Sequence, residues 1–253
     1  MMRRPAVTLF VAAALNVVLW LMPFGRVIAL PLLWWSTLAH EAGHGLAAVV
    51  VGGTWEKLQL FIDGSGVATS RYDSRSDAIV ALGGLVGPAA GAFALFLAGA
   101  FQRPARLALA VLGGAVLALL PTVASGWFTV VFILGAGGVL CLISARASTT
   151  TAQVGLLFLA VQLALSVFSR ADYLFTATAV TGAGTFPSDI AKVASQLGGS
   201  YVVWGVCVAA VSVLVLVCGL ASLFLVDRIT VVWERFRGRL SPRHGGDGPA
   251  MRD

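Results

Sequence analysis

Apolar residues in this chain come in long unbroken runs instead of the spaced stripes of a soluble helix, and seven such runs can be drawn. They are Ala6–Met22, Val27–Val51, Ala78–Phe101, Leu107–Leu120, Trp127–Ala145, Ala152–Phe168 and Tyr201–Val226. Most approach the ~20 residues that a helix needs to cross a bilayer. The expected fold class is an all-α polytopic membrane protein, a bundle of about 6–7 transmembrane helices. Seven crossings would put the termini on opposite sides. Yet Arg3 and Arg4 at one end, and Arg228, Arg235, Arg237, Arg239 and Arg243 at the other, both favour the cytoplasm. Leu107–Leu120 is short and closed by Pro121, so it is the run expected not to cross fully. The first run is read as retained, with a cytoplasmic N-terminus, because Ala12–Ala14 come too early for a cleavage site. Residues 1–226 form one domain, and the basic tail 227–253 is expected to be disordered.

Two stretches break the apolar pattern. Thr54–Ser70 alternates apolar and polar positions through Leu58, Leu60 and Ile62, and Asp63-Gly64 is a strong turn signal, so a β-hairpin is expected over about 54–70. It is either a plain surface hairpin or a free strand edge for an extended peptide. Later, a Gly/Thr-rich connection leads to Ser188-Asp189, which opens a short amphipathic helix ending at Leu197 before Gly198 and Gly199. Within the runs, Gly83, Gly84, Gly87 and Gly91 make a small-residue face that lets helices approach closely, Pro88 should kink its helix, and Asn16 should hydrogen-bond between helices. Trp34 and Trp35 mark either an interface or a packed core.

Composition agrees with a membrane bundle. The 253 residues are 58% hydrophobic and 11% charged, against about half and a quarter in a soluble domain. Of seventeen basic residues only Lys57 and Lys192 are lysines, and the net charge of +6 sits largely at run ends. That suits anionic lipid headgroups, and no interleaving of basic and aromatic residues points to nucleic acid. Cys141, Cys207 and Cys218 lie inside apolar runs without C-x-x-C spacing, which excludes a disulfide framework and a thiolate metal site and leaves them as packing residues.

The chemistry is concentrated in His40-Glu41-Ala42-Gly43-His44. Histidines four apart on a helix share one face, so both imidazoles can reach a single metal ion. Glu41 lies beside that face, where it could take a proton from an activated water. This is the H-E-x-x-H arrangement of zinc hydrolases. Ionisable groups inside a membrane span are costly, and the default reading is functional. A catalytic zinc usually has three protein ligands. His44 and His40 supply two, His244 lies in the tail, and elimination among the eleven acidic residues leaves Asp172 and Asp189. Asp172, at the end of a long apolar run, is favoured. Asp189 has a competing role at a helix start, and both could lie near the metal, one as ligand and the other supporting the ligands from behind.

These residues resemble a known family. His40–His44 in a span, Gly52-Gly53 at the helix end, a hairpin, and GGLVGPAAG opening the next span look like the site-2 protease class, peptidase family M50, and its M50B-like bacterial branch in particular. The resemblance covers the first hundred residues well and Asp172 to about Gly199 loosely. It implies an intramembrane zinc metalloprotease in a bacterial cell membrane, with His40 and His44 as ligands, Glu41 as base, and a membrane-embedded protein as substrate. The L-D-G motif of better-known members is absent, and Ala171-Asp172-Tyr173 is the nearest segment. Two other readings stand beside it: a non-catalytic metal-binding scaffold, and an ion transporter, which should spread its charges along a path instead of gathering them at one point.

Overall fold

The computed structural model describes residues 4–24, 27, 29–169 and 174–240. Eight α-helices lie among them: α1 (Arg4–Leu21), α2 (Leu30–Val50), α3 (Asp77–Gly99), α4 (Gln102–Thr122), α5 (Trp127–Arg146), α6 (Thr149–Ser169), α7 (Asp189–Leu197) and α8 (Tyr201–Leu240). Two antiparallel hairpins complete the fold, β1 (Thr54–Leu60) with β2 (Gly66–Arg71), and β3 (Thr178–Thr181) with β4 (Gly184–Pro187). Helices α3, α4, α5, α6 and α8 are long and apolar enough to cross a membrane, and α1 adds the shorter segment Ala6–Leu19. Helix α2 spans 21 residues but carries His40, Glu41 and His44 and is not among them. The chain is an all-α integral membrane protein with a hairpin after its second long helix, as the pattern predicts.

Three boundaries differ from expectation. The run Leu107–Leu120 is part of a full 21-residue helix, long and apolar enough to cross a membrane. Pro104 falls in its first turn, where a missing N–H is tolerated, and Pro121 in its last, so neither proline shortens it. The final helix runs past Val226 to Leu240, and the sequence has no proline until Pro242 to stop it. The Gly/Thr-rich connection contains the β3–β4 hairpin, with Thr181 opposite Gly184 at its tip.

Helix α3 is the centre, packing on α2, α6, α7 and α8. Its glycines make this possible. A Cβ on Gly43 of α2 would stand 3.1 Å from the Gly84 Cα and still closer to the Gly83 carbonyl. One on Gly87 would stand 2.7 Å from the Ala39 carbonyl oxygen. Gly83, Gly84 and Gly87 therefore form the α2–α3 contact, while Gly91 faces Leu163 of α6, and α3 runs through Pro88 unbroken. Polar side chains tie other helices together. Asn16 Nδ2 donates to Phe158 O at 3.3 Å across α1 and α6, and Gln153 Nε2 to Gly99 O at 2.8 Å. Arg106 donates to the Ser144 and Ala145 carbonyls at 2.6 and 2.9 Å, satisfying the open end of α5. Trp34 packs edge-on against Phe128 with ring centroids 4.8 Å apart, and Trp35 is buried, so both serve packing. Cys141 is half-buried, but Cys207 and Cys218 lie exposed on α8, which corrects the packing role expected for those two.

The β1 edge of the first hairpin is held by the chain that follows α4. Leu58 N donates to Val123 O at 2.7 Å, Ser125 N to Leu58 O at 2.9 Å, and Leu60 N to Thr129 Oγ1 at 2.9 Å, so the loop after α4 covers β1. The outer edge of β2 faces α2 and the candidate site.

Candidate metal centre

Helix α2 presents His40 and His44 one turn apart, and α7 brings Asp189 to both. Asp189 Oδ2 lies 3.1 Å from His40 Nε2 and 3.0 Å from His44 Nε2, and the two Nε2 atoms are 3.2 Å apart. Among the described residues this is the group that could hold a metal ion. Asp172, the carboxylate favoured from sequence, lies outside the described residues. Asp189 also serves the helix start, as its competing role required: Ser188 caps α7 through Ala191 N, and Ser188 Oγ donates to Thr176 O at 2.6 Å. Asp189 thus stands in the first turn behind the Ser188 cap while its side chain lies beside the imidazoles.

The tautomers bear on what the cluster can bind. His44 Nδ1 is 2.8 Å from Val80 O, which can only accept, so Nδ1 carries the hydrogen. In the neutral ring, Nε2 then turns a lone pair toward a carboxylate oxygen at 3.0 Å. Two acceptors so close repel unless a proton or a metal ion lies between them. The three edges of 3.0–3.2 Å are near the roughly 3.3 Å edge of a tetrahedron with zinc-ligand bonds of ~2.0–2.1 Å. The donor set fits zinc. Asp189 is 5% exposed; burial pushes its carboxyl up, but the charge of His44 and hydrogen bonds from both imidazoles outweigh that and hold it well below the ordinary carboxylate range.

Glu41 stands apart from the cluster. It is buried, and its Oε2 accepts from Ala68 N of β2 at 2.7 Å. Gly66 permits this approach, because a Cβ there would stand 2.8 Å from Glu41 Cγ. Gly84 does the same for His44, whose imidazole occupies the space a Cβ would need.

A cavity of about 300 Å³ opens from these residues. Gly66–Ser70 of β2 line one side, Ala179, Thr181, Phe186 and Pro187 of the second hairpin the other. The hairpin tips meet where Gly182 N donates to Ser65 Oγ at 2.9 Å. At the rim, partial burial, and then the charge and hydrogen bond of Asp77, push the Tyr72 phenol up, so it remains a donor. Sequence reasoning did not single out Tyr72, Val80, Ala68 or Lys192. For Lys192 a signal existed, since it lies three residues beyond Asp189 on an amphipathic helix.

The fold and site together define a helical integral membrane protein with a His–His–Asp group that could hold a metal ion and a separate buried glutamate. The match to the family described as Peptidase M50B-like runs over residues 8–219, and the chain belongs to that family. Neither the curated proteins nor the solved structures gave a match.

Proposed function

We propose that this protein is a zinc-dependent intramembrane protease of the site-2 type, hydrolysing a peptide bond of a membrane-embedded protein. The observation that carries the reading is the convergence of His40 Nε2, His44 Nε2 and Asp189 Oδ2 at the floor of a cavity that Glu41 also lines. These three residues would hold zinc, which supplies a Lewis acid for the scissile carbonyl and makes water acidic enough to attack near neutral pH.

The chain's own groups account for the rest. The Ala68 N–H fixes Glu41 through Oε2, and Oε1 takes no hydrogen bond among the described residues, so Oε1 accepts the proton of the attacking water and passes it to the leaving nitrogen. Val80 O keeps His44 in the tautomer that aims its lone pair inward. The outer edge of β2 offers backbone groups along the cavity, and a substrate segment lying there in extended form would pair with it as an added strand. The cluster sits at one point in the bundle, which disfavours an ion path.

The test is the full-length protein in lipid nanodiscs, assayed for zinc content and for cleavage of tagged single-span substrates. Glu41→Gln should keep about the wild-type zinc content and lose all cleavage. Cleavage that survives the change would sink the protease reading.

A further inference from the structure

Asp189 is used at both oxygens. While Oδ2 faces the imidazoles, Oδ1 accepts from Lys192 Nζ at 3.0 Å. The carboxylate is 7% exposed at its side chain, so water has little access to replace the ammonium there. Lys192 is fixed to this task by the helix: residues three apart share a face, and the Lys192 backbone N–H bonds Ser188 O within the same first turn. No other carboxylate among the described residues is within ion-pair distance of it. Its side chain is 44% exposed and lines the cavity, so it is not held there by burial.

A carboxylate can meet a metal through one oxygen or through two. Two would add a further ligand and crowd the place that water and the scissile carbonyl need. An ammonium on Oδ1 prevents this, because that oxygen would have to give up a charge-assisted hydrogen bond to turn inward.

We infer that Lys192 is a positioning residue, holding Asp189 to single-oxygen ligation so that the metal centre keeps an open place. The inference rests on the zinc reading above and extends it to a residue that does not itself touch the reacting atoms. A purely structural salt bridge at i, i+3 would support α7 by a few tenths of a kcal/mol and leave the metal's coordination unchanged.

Cobalt(II) distinguishes these roles without any substrate, since its visible bands are strong when four-coordinate and weak when five-coordinate. The full chain in nanodiscs is loaded with Co²⁺ as wild type, Lys192→Met, Lys192→Arg and His40→Ala, and Zn²⁺ affinity is measured by competition. Wild type and Lys192→Arg should show strong bands. Lys192→Met should lose them, and its Zn²⁺ affinity should fall about 10–100-fold, the usual effect of removing a partner behind a ligand. Failure of Lys192→Met to take up cobalt while Lys192→Arg does would support the inference equally. Spectra and affinities of Lys192→Met equal to wild type, with His40→Ala unable to bind, would overturn it and leave the metal centre standing. If wild type binds no more cobalt than His40→Ala, the metal reading fails and the role of Lys192 with it.

Discussion

The Ala68 N–H donates to Glu41 Oε2 at 2.7 Å, so a strand 27 residues further along the chain aims the glutamate on α2. The bond passes over Gly66, where any side chain would press on Glu41 Cγ at 2.8 Å and Thr37 Cγ2 at 2.7 Å. The first hairpin and α2 are thus one mechanical unit.

Gly66→Ala should therefore impair catalysis without emptying the metal centre. Displacing the base by a few tenths of an ångström at a barrier change near 1.4 kcal/mol gives about a tenfold slower turnover. Zinc content measured on the same preparation should equal wild type. A variant with unchanged turnover would show that Glu41 does not depend on this strand.

Gly84→Ala addresses the other side of α2. Its methyl would occupy the space of the His44 imidazole and push the ring off Val80 O. Zinc bound per chain should drop sharply. Gly155→Ala on α6 is the control, since nothing lies within 4 Å of a Cβ there; it should keep its zinc and gain up to ~1 kcal/mol in stability. Equal zinc content in the two variants would contradict the packing described.

The choice of third ligand can be read from metal content alone. Asp189→Ala removes the oxygen that meets both imidazoles and should abolish stoichiometric zinc binding. Asp172→Ala should leave zinc unchanged. The reverse pattern would return Asp172 to the centre.

Asn16 joins α1 to α6 through Phe158 O, with a second bond to Ala12 O at 3.0 Å. In a bilayer such a bond contributes roughly 0.6 kcal/mol. Asn16→Ala should lower stability by about 1 kcal/mol in a denaturant titration in detergent, with zinc content unaffected. A loss several times larger would mean that Asn16 supports more than this one helix contact.

Much of this was legible in the chain. The two histidines and Glu41 could be found because few other ionisable groups interrupt the apolar runs, and Asp63-Gly64 marks a turn by its chemistry alone. Gly83, Gly84 and Gly87 announced a close helix contact, though not that its partner would be Gly43 of the metal motif. What the sequence concealed depended on distance in space. Asp189 could be kept as a candidate only by elimination, because a carboxylate just after the Ser188 cap also suits a helix start, and nothing local shows it reaching α2. The strands β3 and β4 have four residues each, too few to display alternation against a Gly-Ala-Gly turn. Leu107–Leu120 looked short because Arg103, Pro104 and Arg106 hide the first turn of α4, whose arginine in fact closes the end of α5.

The ligand set joins residues 145 positions apart, with α2 at one end of the span and α7 at the other. A nascent chain that has made only α1 to α6 carries Glu41 and two of the three candidate ligands, and still lacks the carboxylate. On the protease reading, the centre is complete only once α7 has docked, after every helix from α1 to α6 has been made.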